Sequence, residues 1–125
     1  LKIKKISFNS NETECSYPID RFHFENAINN IIDNAIKYGG DQIEVRLDKN
    51  EKEVQISIID NGDTLTSQKA ARVFEKFYRV PRGNTHDVKG FGIGLYYTKK
   101  IIEKHQGTIE VIAKNGCQFL IILPI

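Results

Sequence analysis

Methionine is absent from this chain, cysteine occurs only at Cys15 and Cys117, and no apolar run approaches the length of a membrane span. Two cysteines so far apart make neither a disulfide framework nor a paired-cysteine metal site and suit a reducing compartment, with a single bridge left open. A membrane helix needs about 20 consecutive apolar residues. The opening Leu1-Lys2-Ile3-Lys4-Lys5 also lacks the apolar centre of a signal peptide. The expectation is a cytoplasmic piece without membrane contact of its own, and a start at Leu1 with no methionine is expected of a fragment cut from a longer protein. Charge of one sign is scarce as well. Lys and Arg number 18 against 16 Asp and Glu, a net +2, so there is no broad basic field and nucleic acid is not expected as a partner. His23, His86 and His105 are scattered, with no spacing that favours zinc.

What is present fits one globular unit over residues 1–125. Residues 2–8 alternate weakly as an edge strand, and Asp20 offers a helix cap. Phe24, Ala27, Ile28, Ile31, Ile32 and Ala35 recur at helical spacing from Arg21 to Tyr38, and Gly39-Gly40 stops that helix. Alternating residues 43–48 and 54–58 flank a polar turn and predict a hairpin. Thr66 to Lys76 predicts a short helix, Arg79 to Lys89 a polar loop, and Ile93 to His105 a further helix ended by Gly107. Two closing strands meet at Asn115-Gly116, a favoured tight-turn pair. Neighbouring hairpins imply antiparallel pairing, so the fold class is α+β, a mixed sheet covered by helices on one face.

Three features carry chemistry. Asn26, Asn30, Asn34 and Lys37 form one polar stripe on the first helix, with Asp33 beside it. Such a stripe is usually a solvated face. Asparagine, however, costs up to about 0.7 kcal/mol against alanine inside a helix, and an amide oxygen can ligate a hard cation without adding charge, so a metal–phosphate group is the functional reading. Asp60 shares the parity of Val54, Ile56 and Ile58 and should point inward, where an unpaired acid is costly. It either caps a turn at Asn61-Gly62 or accepts from a donor such as an adenine amino group. Gly90, Gly92 and Gly94 let backbone N–H groups approach a phosphate at a helix start. Their G-x-G-x-G spacing is not the dinucleotide fingerprint, and a Walker-type loop fails because Val88 stands where its second glycine belongs. Cys117 reads as a packed thiol rather than a nucleophile.

Taken in order, Asn30-Ile31-Ile32-Asp33-Asn34-Ala35-Ile36-Lys37-Tyr38, Asp60-Asn61-Gly62, Phe74-Glu75-Lys76-Phe77-Tyr78-Arg79, the run Gly90-Phe91-Gly92-Ile93-Gly94-Leu95 and Gly116-Cys117-Gln118-Phe119 strongly resemble the ATP-binding catalytic domain of sensor histidine kinases. They match that family's N box, first glycine box, F box, second glycine box and closing glycine motif, over nearly the whole chain. The resemblance implies the two-layer α/β sandwich of gyrase, Hsp90 chaperones and MutL (the Bergerat fold), a mixed, mainly antiparallel sheet under about three helices. By it, Asn34 would coordinate Mg²⁺ on ATP, Asn30 would support it, Lys37 would contact phosphate and Arg79 would approach the γ-phosphate. Tyr38 would border ribose and adenine, Asp60 would accept from the adenine amino group with Gly62 and Cys117 beside it, and residues 90–95 would border the phosphates. Residues 80–89 become an ATP lid anchored by Phe74 and Phe77.

Hydrolytic members of the superfamily carry Glu where this chain has Asn30, and an amide is no general base. That favours phosphoryl transfer to a histidine on a separate dimerisation and phosphoacceptor domain, with a response regulator downstream. The isolated domain, lacking that helical hairpin, is expected to be monomeric, while full-length relatives are often membrane-anchored dimers. Two departures stand out: Thr64 replaces a glycine of the first glycine box, and Cys117 replaces a threonine. They motivate the alternative of a degenerate nucleotide-binding or partner-interaction module without productive transfer. A Ser/Thr-directed kinase of the same fold is a third reading, distinguished by acid-stable phosphate.

Overall fold

The computed structural model describes residues 5–11, 17–62, 72–75, 94–113 and 115–125. Seven elements form along them: β1 (Lys5–Ser10), α1 (Arg21–Tyr38), β2 (Gln42–Lys49), β3 (Glu53–Asp60), α2 (Gly94–Lys104), β4 (Thr108–Ile112) and β5 (Cys117–Pro124). The strands make one sheet in the order β1-β2-β3-β5-β4. Only β1 and β2 pair in parallel, with α1 as their crossover; the other three ladders are antiparallel. The α+β sandwich expected from the hairpins is therefore present, with two helices among the described residues.

Asp20 caps α1 by accepting from the backbone N–H of His23, and its second oxygen meets His23 Nδ1 at 2.9 Å. These contacts hold the Asp20 carboxyl below its usual range, His23 being the leading cause. The buried stripe Phe24, Ala27, Ile31 and Ala35 faces inward-pointing residues of the sheet, among them Ile43, Val54, Ile58, Phe119, Ile121 and Leu123. Alternation alone explains that set, because every second strand residue reaches the helix layer. The start of α1 is fastened to the end of α2, where Asp20 N–H donates to His105 Nε2 at 2.9 Å. With Nε2 accepting, it is Nδ1 that carries the proton and donates to the Ile101 carbonyl at 2.8 Å.

Two boundaries differ from expectation. β1 runs to Ser10, beyond residue 8, because its ladder with β2 continues to Ser10 opposite Leu47. α2 ends at Lys104, and the left-handed residue that stops it is Gln106 (φ 64°), not Gly107. Gly107 N–H reaches the Ile102 carbonyl and Gln106 N–H that of Glu103, both at 3.0 Å, the paired bonds of a Schellman close. Gly107 has a different role: a Cβ there would lie 2.8 Å from Leu123 Cδ2 and 2.9 Å from the Ile122 carbonyl, so glycine lets α2 drop onto β5. At the β4–β5 turn both Asn115 (φ 53°) and Gly116 (φ 120°) take the positive φ that the pair predicts. Of the short helix expected over 66–76, residues 72–75 are described, as a turn closed by Glu75 N–H on the Arg72 carbonyl; the remainder lies outside the described residues.

Candidate functional site

Asp60 is the last residue of β3 and is only 7% exposed, facing the helices as its parity requires. Its Oδ1 accepts from Gly62 N–H at 2.8 Å, so the carboxylate does close the Asn61-Gly62 turn while remaining buried. Glycines surround it. A Cβ on Gly39 would stand 2.7 Å from Asp60 Cγ, and one on Gly62 would stand 3.0 Å from Asp60 Oδ1. The acid therefore sits in a cradle of glycine backbone packed too closely for side chains to enter.

Asn61 holds this arrangement in place. Its Oδ1 accepts from Gln42 N–H at 3.1 Å and its Nδ2 donates to Asp41 Oδ1 at 3.0 Å, pinning the start of β2 to the end of β3. The Gly39-Gly40 segment, caught between α1 and that pin, is thereby pressed against Asp60 at Gly39 and against Asn61 at Gly40. In the sequence, Gly39-Gly40 reads as a helix stop and Asn61 as a turn residue. The contact between residues 39 and 60 depends on the register Ile43↔Asp60, which the sequence alone does not number.

Cys117 opens β5 directly across the ladder from Asp60. It is a free thiol, 8% exposed. Burial, and secondarily the charge of Asp60, push its pKa up to about 12, so it stays protonated and is a packed thiol rather than a nucleophile. Gly116 before it is closely applied to the Asp60 backbone carbonyl.

On α1, Asn30 and Asn34 are half-buried, whereas Asn26 and Lys37 are exposed. Asn30 Nδ2 donates to Thr98 Oγ1 on α2 at 3.4 Å. Among the described residues neither Asn30 Oδ1 nor the Asn34 amide has a hydrogen-bond partner. Gly94 begins α2, where a Cβ would meet nothing within 4 Å, and Leu95 packs on the core. Phe74 packs edge-to-face on Phe119 with centroids 6.1 Å apart, and Lys99 Nζ lies 5.3 Å from its ring centroid. Arg79, Gly90, Phe91, Gly92, Ile93, Thr64, Phe77, Cys15, the lid at 80–89 and the side chain of Tyr38 lie outside the described residues. Among the described residues no three of His, Cys, Asp and Glu group as a metal site, and no helix is long and apolar enough to cross a membrane.

Comparison with known proteins agrees with this architecture. Residues 19–125 match the family described as histidine kinase-, DNA gyrase B- and HSP90-like ATPases. Sensor protein RprX of Bacteroides fragilis is 42% identical over 127 aligned residues, covering 97% of this chain and 24% of RprX. Sensor protein SrrB of Staphylococcus aureus is 38% identical over 113, covering 87% of this chain and 19% of SrrB. The chain thus spans a quarter or less of the curated relatives it matches. Among solved structures, the catalytic domain of histidine kinase ThkA superimposes with a TM-score of 0.81 at 23% identity, over 96% of this chain and 78% of that one, a likeness of fold. The mycobacterial sensor histidine kinase MprB gives 0.77 at 28% identity, over 95% and 83%. The chain belongs to the histidine kinase-, DNA gyrase B- and HSP90-like ATPase family, and within it is the catalytic ATPase domain of a sensor histidine kinase.

Proposed function

We propose that this chain binds Mg·ATP and donates the γ-phosphate to a histidine on an adjoining dimerisation and phosphoacceptor domain, from which a response regulator is phosphorylated. The observation that carries the reading is the buried Asp60 carboxylate in its glycine cradle. A carboxylate has only acceptors, and a purine amino group is a donor that complements it. Asp60 would take that hydrogen bond and thereby prefer adenine to a purine with a carbonyl at the same place. Cys117 and Gly62 would border the base, and Tyr38 the ribose.

The residues fit a hard cation. Among the described residues the Asn34 amide oxygen has no hydrogen-bond partner, and Mg²⁺ characteristically takes few protein ligands, completing its shell with phosphate oxygens and water. Bound there with ATP, the ion would supply neutralisation of phosphate charge. Asn30, Lys37, Arg79 and the backbone of residues 90–95 would orient the phosphates, Leu95 fixing the start of α2 to the core. Asn30 cannot deprotonate water, so the site positions a phosphoryl group for an external nucleophile instead of activating hydrolysis. The domain would act as a monomer on the cytoplasmic side of a longer kinase, and light scattering at monomer mass independent of concentration is the expected result.

Calorimetric titration of ATP, with and without Mg²⁺, tests the reading. Saturable binding should vanish in Asp60→Asn and weaken in Asn34→Ala chiefly when Mg²⁺ is present. Absence of heat and of thermal protection at millimolar ATP in the wild-type chain would instead select the degenerate interaction module, for which the weakly hydrogen-bonding thiol of Cys117 is the specific observation.

A further inference from the structure

Thr98 lies on α2 with no solvent exposure, yet it is polar and belongs to none of the segments that mark the nucleotide site. Its hydroxyl makes two contacts across the helix pair. Oγ1 donates to the Ala27 carbonyl at 3.4 Å, and Asn30 Nδ2 approaches the same oxygen at 3.4 Å. A hydroxyl has one proton, and a carbonyl can only accept. With that proton committed to Ala27, Thr98 can only accept from Asn30, so the amino end of the Asn30 amide must face Thr98 and the oxygen end must face away.

An asparagine amide is nearly symmetric in shape, and its two ends differ only in hydrogen bonding. In solvent it would present either end. The geometry points to Thr98 as a positioning residue that locks the Asn30 amide with Oδ1 presented as an acceptor on the nucleotide side of α1. The hydroxyl also ties that orientation to α2, the helix that follows the glycine run 90–94. This rests on the nucleotide-binding reading above and deepens it. Oδ1, held outward, would serve the Mg²⁺–phosphate group or its water shell; Nδ2 in its place would present a donor to the cation, a repulsive arrangement.

The test uses Thr98→Val, which keeps the shape and removes the hydroxyl, and Thr98→Ser, which keeps the hydroxyl. Thr98→Val removes two long hydrogen bonds and leaves behind an Asn30 amide that water can reach, so folding is retained with at most a small fall in melting temperature. ATP affinity with Mg²⁺ should nevertheless fall about ten-fold, the usual effect of losing an outer-shell partner, with a much smaller fall without Mg²⁺. Thr98→Ser should restore the wild-type ratio. In ¹⁵N spectra of the nucleotide-free chain, the two Asn30 side-chain protons should exchange with solvent faster in Thr98→Val than in wild type, a readout independent of activity. Equal Mg²⁺-dependent affinities for wild type and Thr98→Val, or unchanged Asn30 exchange, would overturn the positioning role. A wild-type chain silent to ATP would instead overturn the nucleotide reading on which it rests, so the two failures are told apart.

Discussion

The thiol of Cys117 should make this domain sensitive to alkali. It is 8% exposed and lies across the ladder from Asp60, and these surroundings raise its pKa from 9.0 to about 12, burial contributing more than the neighbouring charge. Because the folded value is the higher one, the unfolded chain loses this proton first as pH rises. The stability tied to it is intact below pH 9 and is lost progressively between 9.0 and about 12. At about 1.4 kcal/mol per pH unit, the loss reaches about 1 kcal/mol near pH 10 and about 4 kcal/mol at the far end.

Urea unfolding of the wild type and Cys117→Ala, both in a Cys15→Ser background, reads this directly. Truncation to alanine imposes a fixed offset at neutral pH. Every other residue is common to the two chains, so the pH dependence of the difference isolates Cys117. The wild type should lose its advantage by about 1 kcal/mol between about pH 8 and pH 10. A difference that stays flat over that interval would refute the reasoning, since it would mean that the thiol ionises as readily folded as unfolded.

Two further substitutions follow from the backbone. Gly39→Ala places a Cβ 2.6 Å from the Ala35 carbonyl and 2.7 Å from Asp60 Cγ, neither at the end of a flexible chain; it should cost about 1–3 kcal/mol in chemical denaturation and weaken ATP binding by displacing the carboxylate. Gln106→Gly relieves a left-handed residue at the close of α2 and should raise stability by about 1 kcal/mol, seen as a higher melting temperature with nucleotide affinity unchanged.

Legibility in the sequence followed the range of the interactions involved. α1 was readable to the residue, because Asp20, the spacing of Phe24 to Ala35 and Gly39 are all local signals. Asp60 was readable as inward-facing because strand parity is local too. The close of α2 differs from its sequence signal because glycine is the expected left-handed residue, whereas here Gln106 takes that conformation and Gly107 is needed for contact with β5, 15 to 16 residues away. The cradle around Asp60 was invisible for the same reason. It joins residues 39–40, 60–62 and 116–117, and only the register of β2, β3 and β5 brings them together. Thr98 gave no signal, since a lone threonine on an otherwise amphipathic helix reads as part of its interior face.

The distinction between an amide and a carboxylate at position 30 also explains why such a support matters here. A catalytic glutamate is tuned by its pKa, and its two oxygens are equivalent, so rotation by half a turn changes nothing. Asparagine has no proton to trade and two unlike ends. Its usefulness therefore depends on which end is outward, and that choice must be made by a neighbour whose own hydrogen-bonding sense is fixed. In this chain the direction originates at the Ala27 carbonyl, which cannot donate, passes through the Thr98 hydroxyl, which has one proton to give, and ends at the Asn30 amide. Ala27 and Asn30 belong to α1 and Thr98 to α2, so the orientation exists only while the two helices are packed. Any change that parts them should release Asn30 before it unfolds the sheet, and loss of the Mg²⁺-dependent part of ATP affinity at denaturant concentrations below the main transition would be its signature.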